Sequence, residues 1–260
     1  MSKLSEKIFG EKKRFITAIP MIGILVLAII LNYPLLIWGL LGVCFFIAFL
    51  ESLKLFGLEP SIAFVSGGIA CWILAYFSTS PLISGVFVAM IVAGFLAYKQ
   101  SITPKSILPF IYPTLPFLAL YALYVDKGIS SVTWLIITVA TTDVGAYFGG
   151  RVFGRTPFSP TSPKKTLEGV GVGVASGIVA GTIAGIGPAN GFLCSLLTTA
   201  IVAIVSVFGD LFESYLKREA GVKDSGKILP GHGGILDRFD AILFGAVGMY
   251  LLLSILQAWK

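Results

Sequence analysis

Residues 214–240, SYLKREAGVKDSGKILPGHGGILDRFD, form a dense block of charge between two long apolar runs. The block holds five Lys and Arg, four Asp and Glu and the chain's only histidine. Side chains of this kind are seldom buried unless paired, so the stretch cannot serve as core. It is either a solvated connection or a place that handles charged ligands. The mixture of both charges with glycines favours the second.

Working outward, the 260 residues are 56% hydrophobic and only 12% charged, with a mean hydropathy of +0.93. Soluble domains carry about a quarter charged residues, so lipid is the main solvent here. Apolar runs long enough for membrane helices fall near Phe15–Leu31, Pro34–Leu50, Ser61–Phe77, Pro81–Ala97 and Leu108–Tyr124. Four more lie near Ser131–Gly149, Val170–Ile186, Gly191–Leu211 and Asp240–Leu256. The reading is an all-α, polytopic integral membrane protein of about nine transmembrane helices. No alternating pattern of barrel strands is present. Residues 1–130 are read as a five-span N-terminal bundle. Residues 131–260 are read as the catalytic region, with cytoplasmic loops at 150–169 and 212–239.

With a cytoplasmic N-terminus, 17 of the 19 Lys and Arg fall on the cytoplasmic side, leaving Lys127 and Lys260 opposite. That is the asymmetry the positive-inside rule demands. The net charge of +6 therefore points to anionic headgroups or phosphorylated ligands at one membrane face and not to nucleic acid. The basic flank Lys12, Lys13, Arg14 resembles a signal peptide. The run that follows has no clear small-residue cleavage site, so it reads as a retained span. Cys44, Cys71 and Cys194 lie inside apolar runs without paired spacing and read as packing residues. Gly173, Gly177, Gly181 and Gly185 put small residues on one helical face, suited to close helix packing. No inverted repeat of the transporter type is visible.

Among the acidic residues, Asp143 and Asp210 are read as the two inside or at the rim of apolar runs. A carboxylate there costs about 2.5–3.5 kcal/mol on insertion scales, which marks it as functional. Asp237 and Asp240 share a helix face at the start of the last run. Four carboxylates converging at one depth would repel each other, and a divalent cation relieves that repulsion. Magnesium suits oxygen ligands and is commonly held by one or two carboxylates with substrate phosphates. The alternative pairs each aspartate with a neighbouring Lys or Arg and needs no metal.

Gly221–Ile228, GVKDSGKI, superficially fits a nucleotide-binding phosphate loop. Ile228 replaces the hydroxyl that would touch magnesium and no strand precedes it, so that fold is rejected. Lys223 and Lys227 can still offset phosphate charge, and Gly231, Gly233 and Gly234 allow close backbone approach. His232 reads equally as a structural or a chemical residue. In Ser162–Gly169, SPKKTLEG, Lys164, Lys165 and Thr166 make a second candidate contact to phosphate.

Taken in order, Ser214-Tyr215-Leu216-Lys217-Arg218, Lys223-Asp224 and Pro230 through Asp240 resemble the phosphatidate cytidylyltransferase signature, with no departure from it. Asp143-Val144-Gly145-Ala146-Tyr147 and Ser162 through Gly169 are also similar to that family. The likeness covers about residues 131–240. It implies a magnesium-dependent membrane enzyme joining CTP and phosphatidic acid into CDP-diacylglycerol with release of pyrophosphate. The expected setting is a bacterial cytoplasmic membrane, with the site facing the cytosol. Metal ligands are expected at Asp210, Asp237 and Asp240, with Asp143 as a further one and a second cation compatible with the chemistry. Lys223 and Asp224 are expected beside them in catalysis. Lys217, Arg218, Lys223 and Arg238 would neutralise phosphate, helped by Lys164 and Lys165, with Thr166, Ser214 and His232 as binding residues. A homodimer is a further expectation. The rival readings are a CTP-dependent polyprenol or dolichol kinase and, from another class, an ion-coupled transporter.

Overall fold

A computed structural model describes residues 19–231 and 233–258, for the last two of these the backbone alone. Four helices come first: α1 (Ile19–Leu31), α2 (Pro34–Leu55), α3 (Ile62–Phe77) and α4 (Pro81–Tyr98). Proline opens α2 and α4 at their first turns, where its missing N–H would have had no helical partner anyway. A 3₁₀ turn at Pro104–Ile107 and a π-helical turn at Phe110–Thr114 lead into α5 (Leu115–Phe153). A two-stranded hairpin, β1 (Pro157–Ser159) and β2 (Ser162–Thr166), precedes α6 (Leu167–Gly185), α7 (Phe192–Glu219) and α8 (Leu236–Ala258).

Six helical stretches are long and apolar enough to cross a membrane, and α1 and α3 are shorter apolar helices. Large apolar side chains cover the outer faces, Ile62, Phe77, Ile83 and Met90 among them. In water such a surface would be an aggregation liability; in lipid it is ordinary. The chain is an integral membrane protein built almost wholly of helix.

Three boundaries differ from the sequence reading. The fifth and sixth runs form one helix, α5, interrupted at Gly128, whose φ of 79° and ψ of 173° are non-helical. Only glycine adopts that conformation without strain. The division drawn at residue 130 falls just past this break. Second, α7 continues to Glu219, so residues 212–219 are helix and the connection expected over 212–239 is confined to 220–235. Third, residues 150–153 belong to α5, and the 150–169 segment is mostly a hairpin and the start of α6. Residues 1–18, His232, Trp259 and Lys260 lie outside the described residues, and with them Lys12, Lys13, Arg14 and the other N-terminal charges.

Two apolar clusters hold the bundle together. One gathers Phe45, Phe49, Phe110, Phe117 and Leu236 around α2, and the other Trp134, Leu135, Val202 and Met249 around α5, α7 and α8. Phe239 packs against both. The indoles of Trp38 and Trp72 each donate to the other's backbone carbonyl, at 3.3 and 3.2 Å, tying α2 to α3.

The glycine face of α6 is used within the chain. Gly173, Gly177 and Gly181 lie against Thr142 and Thr138 of α5, and Gly185 lies against Trp134. At none of these is there room for a Cβ, whereas Gly171 on the same helix faces open space. Gly177→Leu is expected to destabilise the detergent-solubilised protein by about 3 kcal/mol, at the upper end for overpacking. Gly171→Ala is expected to be neutral or stabilising by up to about 1 kcal/mol. Thermal unfolding of the two variants beside the unaltered protein checks both.

Candidate active site

The charged residues meet at one end of the bundle, where α2, α5 and α7 finish and α6 and α8 begin. The i, i+4 spacing of Glu213 and Lys217 puts both on one face of α7. Lys217 Nζ donates to Glu213 Oε2 at 2.6 Å and reaches across to Asp237 Oδ1 of α8 at 2.7 Å. Glu213 is fully buried and Lys217 nearly so. The lysine thus bridges two carboxylates from different helices.

Asp237 is bound on its other oxygen as well. Its Oδ2 accepts from Gly234 N at 2.7 Å and from both the N and Oγ of Ser225 at 2.9 Å. Three donors on one oxygen anchor the carboxylate and fold the 220–235 connection back over the start of α8. Gly233 sits so close that a Cβ there would stand 2.5 Å from that oxygen, and its φ of 85° is itself glycine territory.

A second lysine does comparable work. On β2, Lys164 is exposed and Lys165 half-buried. Lys165 pairs with Asp210 of α7, and Ser214 Oγ donates to Asp210 Oδ1 at 3.3 Å. Asp143 and Asp240 lie within electrostatic reach of the same ammonium. Burial lowers the Lys165 pKa below the usual lysine range, while Asp143 and Asp240 act to raise it. The hairpin is held in turn by Glu168, whose carboxylate accepts from Arg155 N at 3.0 Å and Thr156 Oγ1 at 2.8 Å.

Of the expected residues, Asp143, Lys165, Asp210, Ser214, Lys217, Asp237 and Asp240 are therefore joined by direct or electrostatic contact. Arg238 lies within reach of Asp143. Others stand apart from this centre. Arg218 is exposed and donates to Val222 O at 3.2 Å, closing the end of α7. Lys223 and Asp224 are exposed on the connection. Thr166 is the N-cap of α6, its hydroxyl accepting from Gly169 N at 3.2 Å. His232 lies outside the described residues.

The reading that only Asp143 and Asp210 sit in apolar runs needs correction, because Glu51 and Glu213 also do, at 4% and 0% exposure. Glu213 had a signal in the sequence, three residues after Asp210 and four before Lys217. Glu51 had a weaker one, an acid on the last turn of an apolar helix. Its side chain accepts from Leu236 N at 2.9 Å, Ser225 Oγ at 3.1 Å and Ile235 N at 3.2 Å.

Among the described residues no group of three or more carboxylate, histidine or cysteine side chains is gathered to hold a metal. The donor chemistry nevertheless fits a hard cation in part. Glu213 Oε1 is buried against the carboxyl of Asp240, with no N–H or hydroxyl donor on it among the described residues. The hydroxyl of buried Tyr112, likewise without a partner, lies within electrostatic reach of both. Beside this centre an apolar cavity of about 360 Å³ opens between α1, α2, α5 and α8, with Leu25, Ile37, Leu120 and Ile242 on its walls and Arg238 at its lining.

The cytidylyltransferase family profile matches residues 12–256. Two Helicobacter pylori proteins named phosphatidate cytidylyltransferase are each 44% identical over 258 residues, covering 99% of this chain and 97% of theirs. A Thermotoga maritima protein of the same name is 40% identical over 193 residues, covering 69% of this chain and 71% of its own. With the signature residues assembled at one end of a membrane bundle and likeness running nearly from end to end, this chain belongs to the cytidylyltransferase family.

Proposed function

We propose that this protein transfers CMP from CTP to phosphatidic acid, giving CDP-diacylglycerol and pyrophosphate, as a magnesium-dependent nucleotidyltransferase of the bacterial cytoplasmic membrane. The observation that carries this reading is the double lysine bridge, Lys217 between Glu213 and Asp237 and Lys165 beside Asp210. Two polyanions must be brought together at a membrane surface. A set of ion pairs between helices supplies both the positive charge that receives phosphate and the carboxylates that receive a cation.

In this reading a phosphate oxygen of the lipid attacks the α-phosphorus of CTP, and the bond to the β-phosphate breaks as pyrophosphate departs. Lys165 and Lys217 bind phosphate oxygens and align the reactants, so the barrier falls chiefly through positioning and charge compensation. Asp210, Asp237 and Asp240, with Asp143 and Glu213 beside them, are the residues that would hold magnesium. When bound, the cation neutralises developing charge on the phosphates. Magnesium often rests on one or two carboxylates plus substrate oxygens, so a compact three-carboxylate cage is not required. Arg238 would meet the lipid phosphate where the apolar cavity accepts acyl chains, and Lys223 with the exposed glycine-rich connection would meet the nucleotide.

We take the N-terminus as cytoplasmic and α1 to α4, the two arms of α5, and α6 to α8 as nine crossings; on that assignment the site faces the cytosol. Ser214 needs no role as nucleophile, because the lipid phosphate supplies the attacking oxygen.

Incubation of purified protein with labelled CTP, phosphatidic acid and magnesium is expected to place the CMP label on the lipid and release pyrophosphate. Release of CDP with a phosphorylated prenol would instead establish the kinase, and ion flux in vesicles without CTP turnover the transporter. Asp237→Asn is expected to lower kcat by about 100-fold or more, a loss of roughly 2.7 kcal/mol in transition-state stabilisation. Lys105→Ala, exposed on the turn after α4, is expected to stay within about twofold of the unaltered protein. Steady-state rates at saturating magnesium test the pair.

A further inference from the structure

Glu51 is far from the signature in sequence and at its centre in space. Its three hydrogen-bond partners lie 174 to 185 residues along the chain. Oε2 accepts from Leu236 N and Oε1 from Ile235 N, two of the orphan donors at the start of α8. An N-cap normally comes from the residue just before its helix; here it comes from α2. The carboxylate also suits the positive end of the α8 dipole.

The link continues to the proposed chemistry. Ser225 Oγ stands 3.1 Å from Glu51 Oε2 and 2.9 Å from Asp237 Oδ2, so one hydroxyl proton is shared between the two carboxylates. Gly226 and Gly234 pack so closely on Glu51 that neither position has room for a Cβ. A side chain of the N-terminal helices therefore sets where the 220–235 connection and the first turn of α8 come to rest, and with them Asp237 and its bridge to Lys217.

We infer that Glu51 is a positioning residue for the active site, anchoring the start of α8 and, through Ser225, fixing the place of Asp237. It touches neither reactant. The inference rests on the cytidylyltransferase reading given above, which supplies the rate to be measured. Because displacement of a catalytic group by about 1 Å costs on the order of 100-fold, losing this anchor acts on turnover. Substrate affinity is largely kept, because Lys165 on β2 and Lys217 on α7, the two lysines assigned to phosphate, are held by other elements.

The test compares the unaltered protein with Glu51→Gln in mixed micelles containing phosphatidic acid, with CTP and magnesium varied to give kcat and KM separately. Gln keeps the shape, but its amide nitrogen cannot accept from Leu236 N. The expected result is a kcat lower by about 10- to 100-fold, with KM for each substrate within about threefold, in protein that elutes as one peak and melts cooperatively. A kcat within about threefold, or a rise in KM at unchanged kcat, overturns the inference. If Glu51→Gln fails to fold, Ser225→Ala decides. Loss of the shared hydroxyl is expected to lower kcat by about 3- to 10-fold, and an unchanged kcat overturns the link. Failure of the unaltered protein to form a CDP-lipid would refute the cytidylyltransferase reading itself, separately from the role of Glu51.

Discussion

Carboxylates placed at the end of an apolar helical bundle repel one another and lose their hydration, so each needs a compensating partner. In this chain that partner is first of all Lys217. It bridges Glu213 on its own helix and Asp237 on the next, and its position decides how α7 and α8 meet. Close approach of the two helices depends on the same register. Gly209 of α7 lies against the backbone of Asp240 and the ring of Phe244, and the aromatic pair Phe212 and Phe244 packs beside them at 5.5 Å. The ion pairs are tolerable because that packing holds both helices rigid, and the packing is reached only because the charges are matched.

The arrangement is not closed by its own side chains. Among the described residues Glu213 Oε1 faces only the carboxyl of Asp240, and the buried Tyr112 hydroxyl has no hydrogen-bond partner, which in a finished core would be a fault. On the proposed reading it leaves polar capacity for the phosphates and the cation. On the proposed reading the lysines that pair with the carboxylates are also the groups that would exchange them for phosphate oxygens, so stability and chemistry would draw on the same residues.

Motif and architecture come together through segments that are not part of the motif. The hairpin delivers Lys165 to Asp210, and Glu168 locks the segment that precedes the hairpin. The glycine face of α6 lets α5 come close, which sets Asp143 within reach of Lys165. From the opposite half of the chain, Glu51 ties α2 to α8.

Much of this was legible in the residues alone. Low charge and long apolar runs determined the membrane class, since no soluble fold hides so little polarity. The Ser214–Asp240 pattern determined the family, and the glycine spacing on α6 determined a close packing face. The helical reach of α7 to Glu219 is hidden in the sequence because charge marks the end of an apolar run, although a helix continues past the lipid boundary while its backbone bonds are satisfied. Only the tertiary structure decided which charges meet. It chose Lys165 over Lys164, brought in Glu213 and Glu51, made Thr166 a cap, and left Arg218, Lys223 and Asp224 at the surface. Pairing of charges depends on distances between helices, and a linear order of residues contains propensity and periodicity but not those distances.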